Sequence, residues 1–268
     1  PPSQQLGVTG RLRRDESNTA TSTDAYAQAE WEITQAVVGT LGVRGGRVKL
    51  SSDDRFLSNG DDSGSSSFDY TNPVASLLWR ARPELNLYVS AGRGFESPTL
   101  NEVAYRPDGS SGFNEDLKPQ KSRQIEIGAK WRSQEARLGI DLAVFRAETD
   151  DEIAVRTNTG GRSTFANVGR TTRQGVEVPA NWQPLQAVRT QLALTWLDAE
   201  YRDGFLTCTG SPCPTPTTQV PAGNKIAGTS PRSAYAEVAW LAMPGAELAL
   251  EWRAQGPIGV DGVNTDFA

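Results

Sequence analysis

Five arginines, Arg93, Arg106, Arg162, Arg170 and Arg173, stand in or beside polar stretches that separate apolar-patterned segments, and Tyr105, Phe113 and Phe165 stand among them. A guanidinium presents a planar fork that pairs two-pronged with carboxylates, and an aromatic ring offers a face on which a flat ligand stacks. The plainer role for each arginine is a salt bridge within its own loop. The 268 residues include no histidine and two cysteines. A Ser-His-Asp triad, a His-ligated zinc site and a Cys–His nucleophile are therefore absent by inventory. Cys208 and Cys213 share the Gly/Pro-rich stretch TCTGSPCPTP, which favours a local disulfide formed outside the cytosol over a metal or redox pair.

Other chemical readings are weaker. GRGFESP has the look of a phosphate loop, but Ser97 stands where the fingerprint needs its third glycine and no helix follows. The acidic runs TDDEI, SSDD and GDD lack EF-hand spacing, so they read as solvated loops and no metal site is expected. Glu126 and Glu177 are carboxylates of the type a glycosidase pairs, yet nothing in the sequence fixes their separation. No enzyme and no cofactor are expected. The net charge of −5 argues against a nucleic-acid partner, since phosphate binding needs a basic surface.

The elements that would position these residues are strands. In QIEIGAKW, Ile125, Ile127, Ala129 and Trp131 alternate with polar or small neighbours, which gives a strand one dry and one wet face. The same alternation runs from Leu6, Val8 and Leu12 through Ala25–Ile33 and onward to Leu248, Leu250 and Trp252. About eleven strands are predicted, most of about 9–13 residues with two longer, where a tilted membrane-crossing strand needs about 9–11. No run approaches the roughly 20 apolar residues of a membrane helix, a test that leaves a β-barrel open. Tight connections near 35–39, 81–85, 132–135, 183–187 and 242–246 alternate with long polar ones at 14–23, 52–68, 93–121 and 203–230. A hairpin at NTGG, 158–161, joins two unusually long strands. Trp31, Trp79, Trp131, Trp182 and Trp240 all lie near tight turns on their strand's apolar face, as amphipathic indoles do at a membrane interface. The dry face then meets lipid. The wet face, with Glu126, Lys130, Arg137, Asp141, Glu177, Glu237, Glu251 and Arg253, lines a lumen where charge is tolerable.

Four ordered blocks carry a resemblance: LYVSAGRGFESPTLNEV, NEDLKPQKSRQIEIGAKW, FANVGRTTRQGVEV and LTWLDAEYRDG. Together they resemble the barrel of TonB-dependent outer-membrane receptors, and within that family the pyrroloquinoline-quinone receptor type. The resemblance implies an all-β, antiparallel transmembrane β-barrel of 22 strands, of which residues 1–268 supply a part, without the N-terminal plug and the last strands. It implies a Gram-negative outer-membrane location, with lipid, lipopolysaccharide, the receptor's own plug and the TonB complex as partners. It also implies a scarce anionic small molecule as ligand, either the quinone or a ferric siderophore. The arginines and rings named above become candidates for the extracellular mouth, with lipopolysaccharide contact as a further role for the arginines. An extracellular structural or adhesive β-protein is the alternative of another class.

Overall fold

A computed structural model describes residues 12, 14–159, 161–266 and 268. The strands follow from the period-two pattern: β1 Glu16–Thr34, β2 Val37–Asp54, β3 Gly64–Arg82, β4 Leu85–Glu96, β5 Gln120–Ser133, β6 Leu138–Asp150, β7 Ile153–Thr159, β8 Arg162–Asn167, β9 Thr171–Leu185, β10 Val188–Tyr201, β11 Phe205–Thr207, β12 Thr218–Val220, β13 Arg232–Met243 and β14 Ala246–Gln255. Ten form one antiparallel sheet in the order β1-β2-β3-β4-β5-β6-β9-β10-β13-β14, and β7-β8 and β11-β12 are separate hairpins. The expected strand through Leu6 and Val8 lies outside the described residues, and Leu12 is not in a strand.

Three expectations need correction. The stretch 14–23 is mostly strand rather than loop, because β1 pairs with β2 as far as Glu16↔Asp54. The polar ends of β2 and β3 likewise pair up to Ser52↔Gly64. The long strands meeting at 158–161 are each broken at their base. Asp151 adopts a left-handed backbone (φ 59°) and Gly169 a positive φ of 101°. The Glu152 N–H donates to the Gly169 carbonyl (2.8 Å) and the Val168 N–H to the Glu152 carbonyl (2.7 Å). Those bonds close the sheet locally and swing β7-β8 away from it, so β6 pairs directly with β9. Gly169 is required there, because a Cβ at that position would come within 2.9 Å of the Asp203 side chain as well as meeting the backbone strain.

Connections at 35–36, 83–84, 134–137, 186–187 and 244–245 are tight, and those at 55–63, 97–119, 151–170 and 202–231 are long. All tight connections fall at one end of the sheet. The five tryptophans near that end are 36–50 % exposed on the apolar face.

Their register is regular. Trp31 is level with Leu77 through Gly39, and Trp79 stands two residues nearer the turn. Trp79 is level with Ala129 through Leu87, and Trp131 is again two further on. The same step separates Trp131 from Trp182 through Ile140 and Ala180, and Trp182 from Trp240 through Thr190 and Val238. A stagger of two residues per two strands is about 6.6 Å along the chain for about 9.6 Å across it, a lean of about 35°. That is the tilt of a closed membrane barrel.

The upper limit of the apolar face follows the same diagonal. Thr23, Thr71, Arg123, Gln174 and Arg232 each stand eight positions before their strand's tryptophan, with only Ala, Val, Ile, Leu or Pro at the same-face positions between. At about 3.3 Å per residue and that lean, the dry band is about 22 Å tall, close to the roughly 25 Å of an outer-membrane barrel. Its large side chains stay exposed: Ile127, Val144, Leu248 and Leu250 among them. A sheet with such a face and with β1 and β14 each paired on one side is expected to aggregate when this chain is made alone in water. Sedimentation without detergent checks this, and a monodisperse monomer would count against it.

Buried packing sits instead at the loop end. Leu50, Val103, Phe113 and Leu117 form a cluster joined by Val48, Phe68, Leu100, Ile153 and Phe165. It fixes the connection 97–119 against β2, β3 and the β7-β8 hairpin. A second cluster of Ala199, Tyr201, Val220 and Ile226 holds the connection after β10.

Candidate functional site

The packed connection 97–119 carries a small hairpin at its tip. Tyr105 bridges Ser111, and the Arg106 N–H donates to the Ser110 carbonyl (3.1 Å). Asp108 accepts from the Ser110 N–H (2.9 Å) and hydroxyl (2.6 Å), closing the turn; these bonds hold its carboxyl below the usual range. The tip carries Tyr105 into a polar pocket of about 230 Å3 at the ends of β1 and β2, beside the β7-β8 tip.

There two guanidiniums approach the Tyr105 ring, Arg14 at 5.3 Å and Arg162 at 5.2 Å from its centroid. Both are within the range of a cation–π contact. Arg14 is held by Glu16 and reaches the Tyr105 hydroxyl at 3.5 Å. Arg106 faces Asp62 at 3.4 Å. Asp54 accepts the backbone N–H groups of Phe56 (2.9 Å) and Asp62 (3.1 Å), which fixes the 55–63 connection. Arg162 makes no ion pair among the described residues, so its charge is available to a ligand. The lining also carries Glu16, Asp54 and Asp62, so free positive charge is local to Arg162, where an anionic group of a partly planar guest would pair beside the Tyr105 ring.

The structure thus brings Tyr105 and Arg162 together, with Arg106 at the pocket's edge through Asp62, and adds Arg14, which the sequence did not single out. The signal for Arg14 was weak, since it precedes the first strand in an otherwise ordinary polar run. The other five candidates lie elsewhere. Phe113 is 6 % exposed inside the packing cluster and offers no face to a ligand, and Phe165 packs against it. Arg170 clasps Asp203 from both guanidinium and backbone, at 2.8–3.0 Å. Those bonds hold the Asp203 carboxyl down to about 2, so the clasp persists above the usual carboxylate range and is lost as pH falls toward about 2. Arg173 donates to both oxygens of the largely buried Glu152 (2.8 and 3.1 Å), which also accepts from the Thr171 hydroxyl (2.7 Å). Arg93 sits on the dry face, level with Arg123. Cys208 and Cys213 are joined by a disulfide. Their loop docks on the β7-β8 hairpin, where Asn158 and Cys213 exchange backbone bonds of 3.1 and 2.7 Å.

Asn167 was also missed. Its side chain accepts the Lys118 N–H (2.9 Å) and donates to the carbonyls of Lys118 (3.0 Å) and Asp151 (2.7 Å), tying 97–119 to the hairpin base. Asn167→Ala is expected to cost about 2–3 kcal/mol of local stability, at about 1 kcal/mol per bond. The check is faster amide exchange over 97–119 with exchange in β5 and β6 unchanged.

A leaning sheet of ten long antiparallel strands, a dry outer band with a tryptophan row, turns at one end and a packed, charged mouth at the other define an outer-membrane β-barrel. The family model described as "TonB dependent receptor-like, beta-barrel" matches residues 1–266. The chain belongs to that family, whose barrels lie in the Gram-negative outer membrane and serve transport. It is 24 % identical over 217 residues to the probable TonB-dependent siderophore receptor PiuA of Acinetobacter baumannii, covering 76 % of this chain and 27 % of that one. It is 26 % identical over 194 residues to the metal-pseudopaline receptor CntO of Pseudomonas aeruginosa, covering 70 % and 26 %. The crystal structure of PiuA superposes with a TM-score of 0.73 at 20 % identity, over 94 % of this chain and 36 % of that one. The chain spans about a quarter of the length of the two curated relatives.

Proposed function

We propose that this chain supplies part of the extracellular mouth of a receptor that takes up an anionic metal chelate of the siderophore or metallophore class. The observation that carries the reading is the meeting of Arg14 and Arg162 at the Tyr105 ring, with Arg162 in no ion pair among the described residues. PiuA and CntO, a probable siderophore receptor and a metal-pseudopaline receptor, support the same ligand class. The quinone favoured by the loop motifs finds no support in these relatives, and the meeting at Tyr105 does not require it. The full-length receptor would bind the chelate at this mouth and release it inward when its plug is drawn by the TonB complex. No bond is made or broken in the cargo. The five tryptophans mark the inner membrane interface of the barrel wall.

The test is a titration of the detergent-purified full-length receptor with a panel of ferric catecholate, hydroxamate and carboxylate siderophores, with pyrroloquinoline quinone in parallel. Tight binding of one ferric chelate is expected. Binding of the quinone alone would overturn the chelate reading.

A further inference from the structure

The β7-β8 hairpin that carries Arg162 stands apart from the ten-stranded sheet. Its lower part is held from the side of the 97–119 connection, where Ile153 and Phe165 join the packing cluster. The last buried pair along it is Thr157 and Thr164, whose hydroxyls meet at 2.6 Å. Arg162 lies two residues beyond that pair, opposite Thr159. A two-stranded ribbon by itself is marginally stable in water, so a tip past its last buried pair needs an outside hold to keep one position.

That hold comes from the connection after β10. The Asn158 N–H donates to the Cys213 carbonyl (3.1 Å), and the Asn158 carbonyl accepts the Cys213 N–H (2.7 Å). Lower on β7, the Thr207 hydroxyl donates to the Val155 carbonyl (3.3 Å). Among the described residues, no other hydrogen bond ties the hairpin from Val155 to Ser163 to a different element. Cys213 lies midway along 208–217, the Gly/Pro-rich stretch between β11 and β12. Left open, that stretch would have to be ordered each time it docked, at a cost in chain entropy. The disulfide joins Cys213 to Cys208, which directly follows β11. β11 and β12 are fixed in turn through Phe205 and Val220 to the cluster of Ala199, Tyr201 and Ile226. A short covalent path therefore runs from a packed core to the residue that meets Asn158, and much of the loop's freedom is removed before it docks.

We propose that the disulfide-closed loop is a positioning element of the mouth: by holding Asn158 it keeps the hairpin tip, and with it Arg162, beside the Tyr105 ring. Cys208 and Cys213 touch no cargo in this assignment, and their effect on binding runs through Arg162. The assignment rests on the reading of Arg162 as a contact for the chelate and adds to it the element that fixes where that contact stands.

The test uses full-length receptor in detergent as wild type, as Cys208→Ser with Cys213→Ser, as Arg162→Ala, and as the triple variant. Amide exchange is read without ligand, and Kd is read across the ferric catecholate, hydroxamate and carboxylate panel. In the serine pair, exchange is expected to quicken in β7 from Val155 to Thr159 while β6 and β9 keep their protection. The best-bound chelate of the panel is expected to bind the serine pair about 10-fold more weakly, but to lose less than about twofold when Arg162 is already alanine. General loosening of the mouth would weaken both backgrounds alike, so equal losses would overturn the positioning role. Unchanged exchange from Val155 to Thr159 would overturn it as well. Heat-modifiable gel migration reports whether the serine pair folds. Reducing the folded wild-type receptor with a phosphine opens the same bridge to two thiols without asking a variant to fold, and the same local quickening is expected. Arg162→Ala at wild-type affinity would instead overturn the chelate reading on which the assignment rests, with the exchange pattern still deciding whether the loop holds the tip.

Discussion

Full-length receptor carrying Arg162→Ala is expected to bind its ferric chelate about 30-fold more weakly, the roughly 2 kcal/mol of an interface anchor. Arg162 stacks on Tyr105 and carries a charge that no carboxylate in the described structure offsets. Its removal therefore subtracts ligand contact without exposing an orphaned acid. Arg14→Ala is expected to cost less, because Arg14 already shares its charge with Glu16. Arg162→Lys should fall between, since lysine keeps the charge and loses the planar face. Tyr105→Leu should lower affinity by freeing both guanidiniums from a common surface. Calorimetric Kd values for the four variants check the order, and an Arg162→Ala protein with wild-type affinity would remove the mouth from consideration.

Arg173→Ala is expected to have the largest effect on structure. Glu152 is 9 % exposed, and its two oxygens are held by the Arg173 guanidinium and the Thr171 hydroxyl. Breaking a buried pair from one side leaves an acid stranded, at about 3–5 kcal/mol. Arg173 keeps about a third of its side chain in solvent, which places the loss at the lower end of that range. The Glu152 backbone also closes the hairpin base, so the loss should appear as faster amide exchange through β7 and β8. Arg173→Ala combined with Glu152→Gln should recover much of the protection, since the stranded charge is gone. Arg170→Ala should do less, because Asp203 is exposed and recovers water. Unchanged exchange in Arg173→Ala would show that the clasp is not what holds the hairpin.

The wall of the barrel was readable from the sequence because its signal is strictly local. Period-two alternation, tryptophans at a fixed distance from turns and the sequence of short and long connections each need only a few neighbouring residues. The site was harder to read because an arginine's role is set by its partner. Arg170 and Arg173 pair with Asp203 and Glu152, which lie 33 and 21 residues away. Arg162, identical in type, pairs with none among the described residues, and no local pattern separates the three. The break at the base of the hairpin rests on one left-handed residue, Asp151, whose composition reads as an ordinary acidic run. Phe113 looked available because it sits in a polar loop, but that loop folds back and builds a core of its own around it.

The lean of the strands has a consequence for the interior. Carried around the roughly 22 strands that the resemblance implies, a lean of about 35° would give a backbone-to-backbone diameter of about 40 Å, far beyond the reach of side chains facing one another across the bore. Charges on opposite walls cannot neutralise each other, so each must be balanced by a near neighbour. Arg132 pairs with Asp141 and Arg253 meets Glu251 at 3.0 Å, while Glu126 takes the neutral Tyr88 hydroxyl at 2.6 Å. The wall is thus self-balanced at the Arg132–Asp141 and Arg253–Glu251 pairs. Those two pairs take nothing from whatever fills the bore, and its departure would leave them intact.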